Sequence, residues 1–455
     1  MVKLRKIWAL ALAGCMAAGA LTGCGSSGKT ESKADTEQTT AGEAAKADGD
    51  SKAAEGADDK PVTITFGFWG DTEEAQMKMD LAQKYMDEHP NVTIQYEYTD
   101  GASYLTKLQT WFSSGSVPDV FGLASDQLFN FLGSEEFEDL KPYIEKDGLT
   151  DAWGKDSLEA YADESGKVYA TPFLSKVFAI AYNKDLFDKA GIDYPTDDWT
   201  EEDMLSAAEK LTSGEGTDKV YGINWGVRPP EFYRNLYGDM IYDVNTYDVN
   251  IADNKQFAHA VSMFKDTIDK GWAPNATSGA VSTGGFETGQ YGMQLCATWD
   301  IATFQNMIKD SFKWDIAMLP VNKEFDHRML STLRGNGWCM SSDSKEKEVC
   351  WDFIKFMSAT EDSAIAAENY GIPALASYAE SDIYLSSFGD GTPYDKGVFI
   401  RMLEYTTPFY NLGAFAEVND VIKTQYDLLL ENQTTLDEML KECQSQAEVI
   451  MSQYK

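Results

Sequence analysis

Residues Ser165–Gly191 read SGKVYATPFLSKVFAIAYNKDLFDKAG. Gly166 marks a turn, Val168 and Tyr169 start an extended segment, and Pro172 cannot donate to a strand ladder. Val177-Phe178-Ala179-Ile180-Ala181-Tyr182 follows without alternation, which suits a strand buried on both faces. Asn183 predicts an N-cap for a short helix over Lys184–Ala190, and Gly191 its stop. The stretch reads as one domain ending, a hinge, and the first strand of a second domain. The plainer reading is a strand–turn–helix within a single domain.

Length decides for more than one domain, since 455 residues exceed what one core organises. The chain carries a formal net charge of −36. Lys3, Arg5 and Lys6 are the only charges in residues 1–24, so loss of that segment leaves −39. Such a chain is repelled by nucleic acid and by anionic headgroups, and no nucleic-acid partner is expected. The six cysteines form no CxxC pair, and His89, His259 and His327 lie far apart. No metal or other cofactor is therefore expected. Cys339 and Cys350 could form a disulfide in an exported protein or remain buried thiols.

Residues 1–24 have a basic start, a short apolar run over Ile7–Ala20 and the ending Leu21-Thr22-Gly23-Cys24. This is a secretory signal, too short to span a bilayer. The ending resembles the lipobox of bacterial lipoproteins, which implies acylation of Cys24 and anchoring on the outer face of the cell membrane. Residues 25–60 contain no Val, Ile, Leu, Met or aromatic residue. They read as a disordered tether with a reach of roughly 30–35 Å.

From Pro61 the pattern becomes strand, helix, strand, helix, strand. Val62, Ile64, Phe66 and Phe68 alternate with less apolar residues. Asp71 and Glu74 suggest a capping box, and Pro90-Asn91 turns into Val92, Ile94, Tyr96 and Tyr98. A helix near Tyr104–Ser114 leads to a strand over Asp119–Leu123. Such an order predicts parallel pairing, with ligands beyond the carboxyl ends of the strands, where Trp69, Gly70, Asp71, Ser125 and Asp126 fall. Further along, Tyr291–Ala297 reads as a strand ending Thr298-Trp299-Asp300, and Leu330–Met340 holds Arg334-Gly335-Asn336-Gly337-Trp338.

Several pieces, in order, resemble the extracellular solute-binding proteins of bacterial carbohydrate importers, the maltose-binding-protein-like class. They are Phe66-Gly67-Phe68-Trp69-Gly70-Asp71, Gly115-Ser116-Val117-Pro118-Asp119-Val120, Gly166–Pro172, Tyr182–Phe187 with Ala190-Gly191-Ile192, Phe286 with Gly289, Gly292-Met293 and Trp299, and Thr435–Leu440. The resemblance covers about 390 residues. It implies a type II periplasmic-binding-protein-like α/β fold of two lobes, each a mostly parallel sheet flanked by helices, with the ligand in the cleft. It places 61–174 and 329–360 in the N-terminal lobe and 175–328 and 361–455 in the C-terminal lobe, with crossings near Pro172–Val177, His327–Leu330 and Ala359–Asp362. It further implies a monomer that docks, closed, on the permease subunits of an ABC importer.

A sugar site needs flat rings for its C–H faces and planar polar groups for its hydroxyls. At about 0.5–1.5 kcal/mol for each aromatic contact and for each hydrogen bond, a few of both reach micromolar affinity without covalent chemistry. Trp299, with Asp300 beside it, matches the family's stacking tryptophan; the alternative is a core tryptophan. Trp69 lies on the less apolar face of its strand. Asp71 either binds hydroxyls or caps its helix, and the same choice holds for Asp126. Lys176 sits at the hinge. Trp225, Arg228, Arg334, Asn336 and Trp338 are further candidates, and Phe415 with Glu417 match a position that reaches the cleft in some relatives. The expected ligand is an oligosaccharide. The alternatives are a polyamine or peptide on the same fold, which Arg228 and Arg334 oppose if they face the cleft, or a secreted glycosidase using two acids.

Overall fold

The computed structural model describes residues 60–131, 134–153, 155–163, 165–225, 236–243, 246–275, 285–386, 394–408 and 413–455. The expected signal segment, Cys24, the expected tether over 25–60 except Lys60, and Arg228 lie outside them. Strand β1 (Val62–Trp69) buries Ile64, Phe66 and Phe68, as its alternation predicts. It pairs in parallel with β2 (Val92–Thr99) in register from Val62↔Val92 to Trp69↔Thr99, and with β3 (Val120–Ala124) at Phe66↔Val120. Helices α1 (Thr72–Glu88) and α2 (Gly101–Ser114) are the crossovers. The Asp71 carboxylate caps α1 by accepting from the N–H groups of Glu73 and Glu74. Glu74 does not close the expected box; it accepts from Lys78 at 2.9 Å instead.

The opening stretch divides between two sheets. Strand β4 (Thr171–Lys176) belongs to the first and β5 (Phe178–Asn183) to the second, with Val177 between them at 0 % exposure. All six residues of β5 are buried. Asn183 caps the helix Lys184–Ala190, and Gly191 ends it at φ +66°, where a side chain would be strained.

Strand β6 (Tyr221–Asn224), β7 (Tyr291–Ala297) and β8 (Trp314–Ala317) join β5 in the order β6-β7-β5-β8. A short hairpin of β9 (Val321–Asn322) and β10 (His327–Arg328) precedes β11 (Ser331–Met340), which returns to the first sheet. There it lies antiparallel between β3 and β4, with Asn336↔Ala124 and Arg334↔Lys176 in register. The first sheet is completed by β12 (Ile372–Pro373) on β4 and by β13 (Thr406–Pro408), which pairs with the start of β11.

Both sheets are mixed, which corrects the expectation of mostly parallel lobes: β5 is antiparallel to both its neighbours, and β11 to β3 and β4. The expected departure from the first lobe at Ala359–Asp362 also differs. The helix Glu361–Ala367 packs on α1, and Ile372 pairs with Ser175, so the chain still belongs to the first sheet there. By Tyr394, whose ring stacks 5.0 Å from Trp314, it has joined the second core.

The first sheet has a core on each face. One holds Phe66, Phe68, Trp338, Phe353 and Met357; the other holds Tyr104, Trp111, Phe121 and Tyr161. Cys296, Cys339, Cys350 and Cys443 are all buried free thiols, so Cys339 and Cys350 do not pair. No helix among the described residues is long and apolar enough to cross a membrane.

Candidate functional site

A cavity of about 450 Å³ opens between the two sheets, and its walls come from three places. The first sheet supplies Trp69 at the end of β1, Asp71, Glu73 and Glu74 at the start of α1, and Asp126 and Gln127 after β3. The second supplies Trp299 and one side of the helix α3 (Asp300–Ile308). Strands β4 and β11, which run along the join, supply Lys176, Arg334 and Asn336.

Trp69 and Trp299 therefore face one opening from opposite sheets. Both are half-buried. The Trp69 ring rests against Tyr104, centroids 4.9 Å apart, and the Trp299 ring meets the edge of Phe178 at 5.5 Å. A methyl group at Gly122 would lie 2.8 Å from Trp69 Cζ3, so only glycine leaves room for the ring there. Each tryptophan has a cation beside it: Lys78 Nζ lies 4.9 Å from the Trp69 ring centre and Lys176 Nζ 5.5 Å from that of Trp299.

The polar groups are held by the backbone or left ready. Asp300 accepts from the Ala297 N–H at 2.8 Å. Burial pushes its carboxyl up to about 6, Glu287 adds to the rise, and the Ala297 bond and Lys176 oppose it. Burial also lowers the pKa of Lys176, against the pull of Glu74, Asp126 and Asp300, while neighbouring Arg334 lowers it further. Asn336 is 5 % exposed, and its Nδ2 has no hydrogen-bond partner among the described residues; Gln127 Oε1 is likewise buried and unpartnered among them. A buried donor or acceptor left unpaired costs about 1–3 kcal/mol.

Eight of the twelve residues expected from sequence line this cavity: Trp69, Asp71, Asp126, Lys176, Trp299, Asp300, Arg334 and Asn336. Trp225 and Trp338 do not. Trp225 is buried against Phe264 and donates its N–H to Thr267; Trp338 is buried against Phe66 and donates to the Met357 carbonyl. Both are core residues with their polar atom satisfied inside. Glu417 is exposed and accepts from the Tyr454 hydroxyl, while Phe415 stacks on Tyr242 in the second core. Arg228 falls outside the described residues.

Sequence reading missed Gln127, Thr303, Asn306 and Tyr370. For Thr303 and Asn306 a signal existed. Polar residues at 300, 303 and 306 interleave with buried Ile301, Phe304 and Ile308, which marks a helix with one wet face. Tyr370 carries no local signal; the turn before β12 brings it in.

Two mixed sheets joined through Val177 and β11, with a polar and aromatic cavity between them, define a two-lobed binding protein, and the comparisons agree. The profile of the bacterial extracellular solute-binding protein family matches residues 80–387, more than half of the chain, and the chain belongs to that family. An ABC substrate-binding protein of Listeria monocytogenes, solved in complex with cycloalternan, is 27% identical, covers 86% of this chain and 99% of its own, and superposes with a TM-score of 0.74. The sugar-binding protein MalE of Xanthomonas citri shares the fold at a TM-score of 0.73 and 19% identity, over 86% of this chain and 98% of its own. The lactose-binding protein of Rhizobium radiobacter is 22% identical over 406 residues, 84% of this chain and 92% of that protein. The relatives named here are binding proteins.

Proposed function

We propose that the protein captures an uncharged oligosaccharide between its lobes and delivers it to an ABC-type permease, acting as a binding protein and not as an enzyme. The observation that carries this reading is the pair Trp69 and Trp299, contributed by different sheets to one cavity, with Asp126, Arg334 and Asn336 between them. Rings supply platforms for the C–H faces of pyranose units, and planar side chains supply donors and acceptors in fixed directions. Contacts divided between lobes favour the closed form. Shifting a mostly open population to a mostly closed one needs a preference of about 10⁴-fold, which neither half of the contacts provides alone.

A cation such as a polyamine fits this site poorly. Lys176, which lines the cavity, stands beside the Trp299 ring at a position a ligand cation would take. The relatives' oligosaccharide ligands support a sugar.

The signal segment and its Leu21-Thr22-Gly23-Cys24 ending support anchoring through a diacylated Cys24 on the outer face of the membrane, with the folded part a tethered monomer. The experiment is a thermal-shift and calorimetric screen of the purified protein against neutral oligosaccharides, including cycloalternan and maltotriose, with spermidine and short peptides alongside. A shift with at least one neutral saccharide is expected. Binding of spermidine or peptides with no response to any saccharide overturns the reading. Incorporation of labelled palmitate, lost in Cys24→Ser, tests the anchor.

A further inference from the structure

Beneath the Trp69 side of the cleft lies a charge that the binding site does not display. Lys78, on α1, is 1 % exposed. Its neighbours on the buried face of that helix, Ala75, Leu81, Ala82 and Tyr85, are what packing on a sheet requires, and an apolar side chain would serve as well at position 78. Burying an ammonium costs several kcal/mol unless good partners surround it. Here they do. Nζ donates to the Trp69 carbonyl at 2.5 Å and to Glu74 Oε1 at 2.9 Å, and it lies 4.9 Å from the Trp69 ring centre. The same ammonium lies 6.0 Å from the ring of Trp338 and 5.9 Å from that of Phe68. One buried cation thus grips the backbone of the platform residue, its ring, and a carboxylate that lines the cavity.

We infer that Lys78 is a positioning residue, whose charge fixes the Trp69 platform and aims Glu74 into the cleft. The inference rests on the cleft being the ligand site proposed above. The three contacts act together: the carbonyl bond holds the end of β1, the ion pair holds the first turn of α1, and the ring lies between them. An uncharged residue would leave the Trp69 carbonyl and Glu74 without this partner and the ring free to tilt.

The arrangement titrates within reach of experiment. Burial lowers the ammonium to about 8, although Glu74 raises it through charge and hydrogen bond. The other charged groups facing the site are Asp71 at the helix cap and Lys176 on β4, with Arg334 of β11, Asp126 after β3 and Asp300 of α3 grouped around Lys176. Loss of the Lys78 proton therefore releases the Trp69 ring from its cation at a pH where lysines in water keep theirs.

The test needs no ligand. The protein is labelled with 5-fluorotryptophan, the Trp69 fluorine resonance is assigned by Trp69→Phe, and the spectrum is followed from about pH 6 to about pH 10. The Trp69 resonance is expected to move with a midpoint near 8. In Lys78→Arg, which keeps the charge but does not titrate and whose folding is checked by its thermal melt, the resonance stays fixed across the range. In Glu74→Gln, which removes the partner that favours the proton, the midpoint falls. A Trp69 resonance that does not move in the unmodified protein, or that moves identically in Lys78→Arg, overturns the inference. Because no sugar enters the experiment, its failure leaves the carbohydrate reading standing, and failure of every saccharide to bind leaves the titration to be judged on its own.

Discussion

The Lys176 ammonium stands 5.5 Å from the centre of the Trp299 ring, so the last residue of β4 in the first sheet reaches a tryptophan that belongs to the second. This contact links the two lobes through the cleft itself. It orients the ring from the hinge side and leaves the rest of the cavity wall to the ligand.

Replacing Trp299 by alanine removes both the platform and this link. Saccharide affinity is expected to fall by about tenfold or more, which corresponds to about 1.4 kcal/mol and the upper range of a single aromatic contact. Trp225→Phe, in the core of the same lobe, is expected to lower the melting temperature and leave affinity within error. Calorimetry on both variants separates platform from core.

Two glycines beside Trp69 give a paired test. At Gly122 an added methyl would sit 2.8 Å from Trp69 Cζ3 and 3.2 Å from Trp338 Cζ3, so the ring must shift. Gly122→Ala is expected to cost about 1–3 kcal/mol of stability and to weaken saccharide binding. At Gly101 the methyl would meet only Trp69 Cδ1 at 3.5 Å, an ordinary contact, and the position opens a helix. Gly101→Ala, which adds a methyl at the cavity wall without displacing the ring, is expected to weaken binding less than Gly122→Ala and to stabilise slightly. Equal effects of the two substitutions would contradict the packing described.

Asp300 makes stability depend on pH in a particular direction. Its carboxyl titrates near 6 in the fold, against 3.8 ordinarily, because burial disfavours the charge. The folded protein therefore holds this proton where the unfolded chain has lost it. The contribution is fully present below about pH 4 and declines as pH rises through about 6. Asp300→Asn keeps an acceptor for the Ala297 N–H and abolishes the titration. It is expected to raise stability at pH 7 by about 1 kcal/mol, with no gain at pH 4. Denaturant melts at both pH values check the sign.

In the second lobe, Glu201 accepts from His259 at 2.7 Å and from Asn322 at 2.9 Å, and the Tyr237 hydroxyl also donates to it. Burial pushes the Glu201 carboxyl up, but these three bonds outweigh it and hold the group below its usual range. The network joins the helix Glu201–Leu211 to the helix Lys255–Asp269 and to the β9–β10 hairpin. Glu201→Ala strips three donors of their acceptor and is expected to cost about 3 kcal/mol or more. Its stabilising effect in the native protein is lost as pH falls through the lowered folded pKa. Urea melts of the variant and the parent measure both.

Local chemistry made most of the first sheet and the hinge readable. The alternation of β1, the uninterrupted run of β5, Asn183 as a cap and Gly191 as a stop are all decided within a few residues, and the structure shows each. Mixed pairing was not readable, because direction is set by how β11 returns from a distant part of the chain and not by its own pattern. The place where the chain leaves the first lobe is obscured for the same reason: two residues, Ile372 and Pro373, decide it by pairing with β4. Among cavity residues, those at strand ends could be found from position. Trp225 and Trp338 misled because a tryptophan with its N–H satisfied internally carries no mark of that in sequence. Lys78 likewise carries no mark of its burial in sequence, since lysines are mostly exposed.

The helix Asp300–Ile308 keeps Ile301, Phe304 and Ile308 in the core while Ala302, Thr303 and Asn306 meet the cavity. Anchoring and recognition are thus written on interleaved positions of one short segment. Randomising only 302, 303 and 306 would generate a library of altered selectivities on an unchanged scaffold, a route to custom biosensors in which the hinge reports whatever the new face chooses to hold.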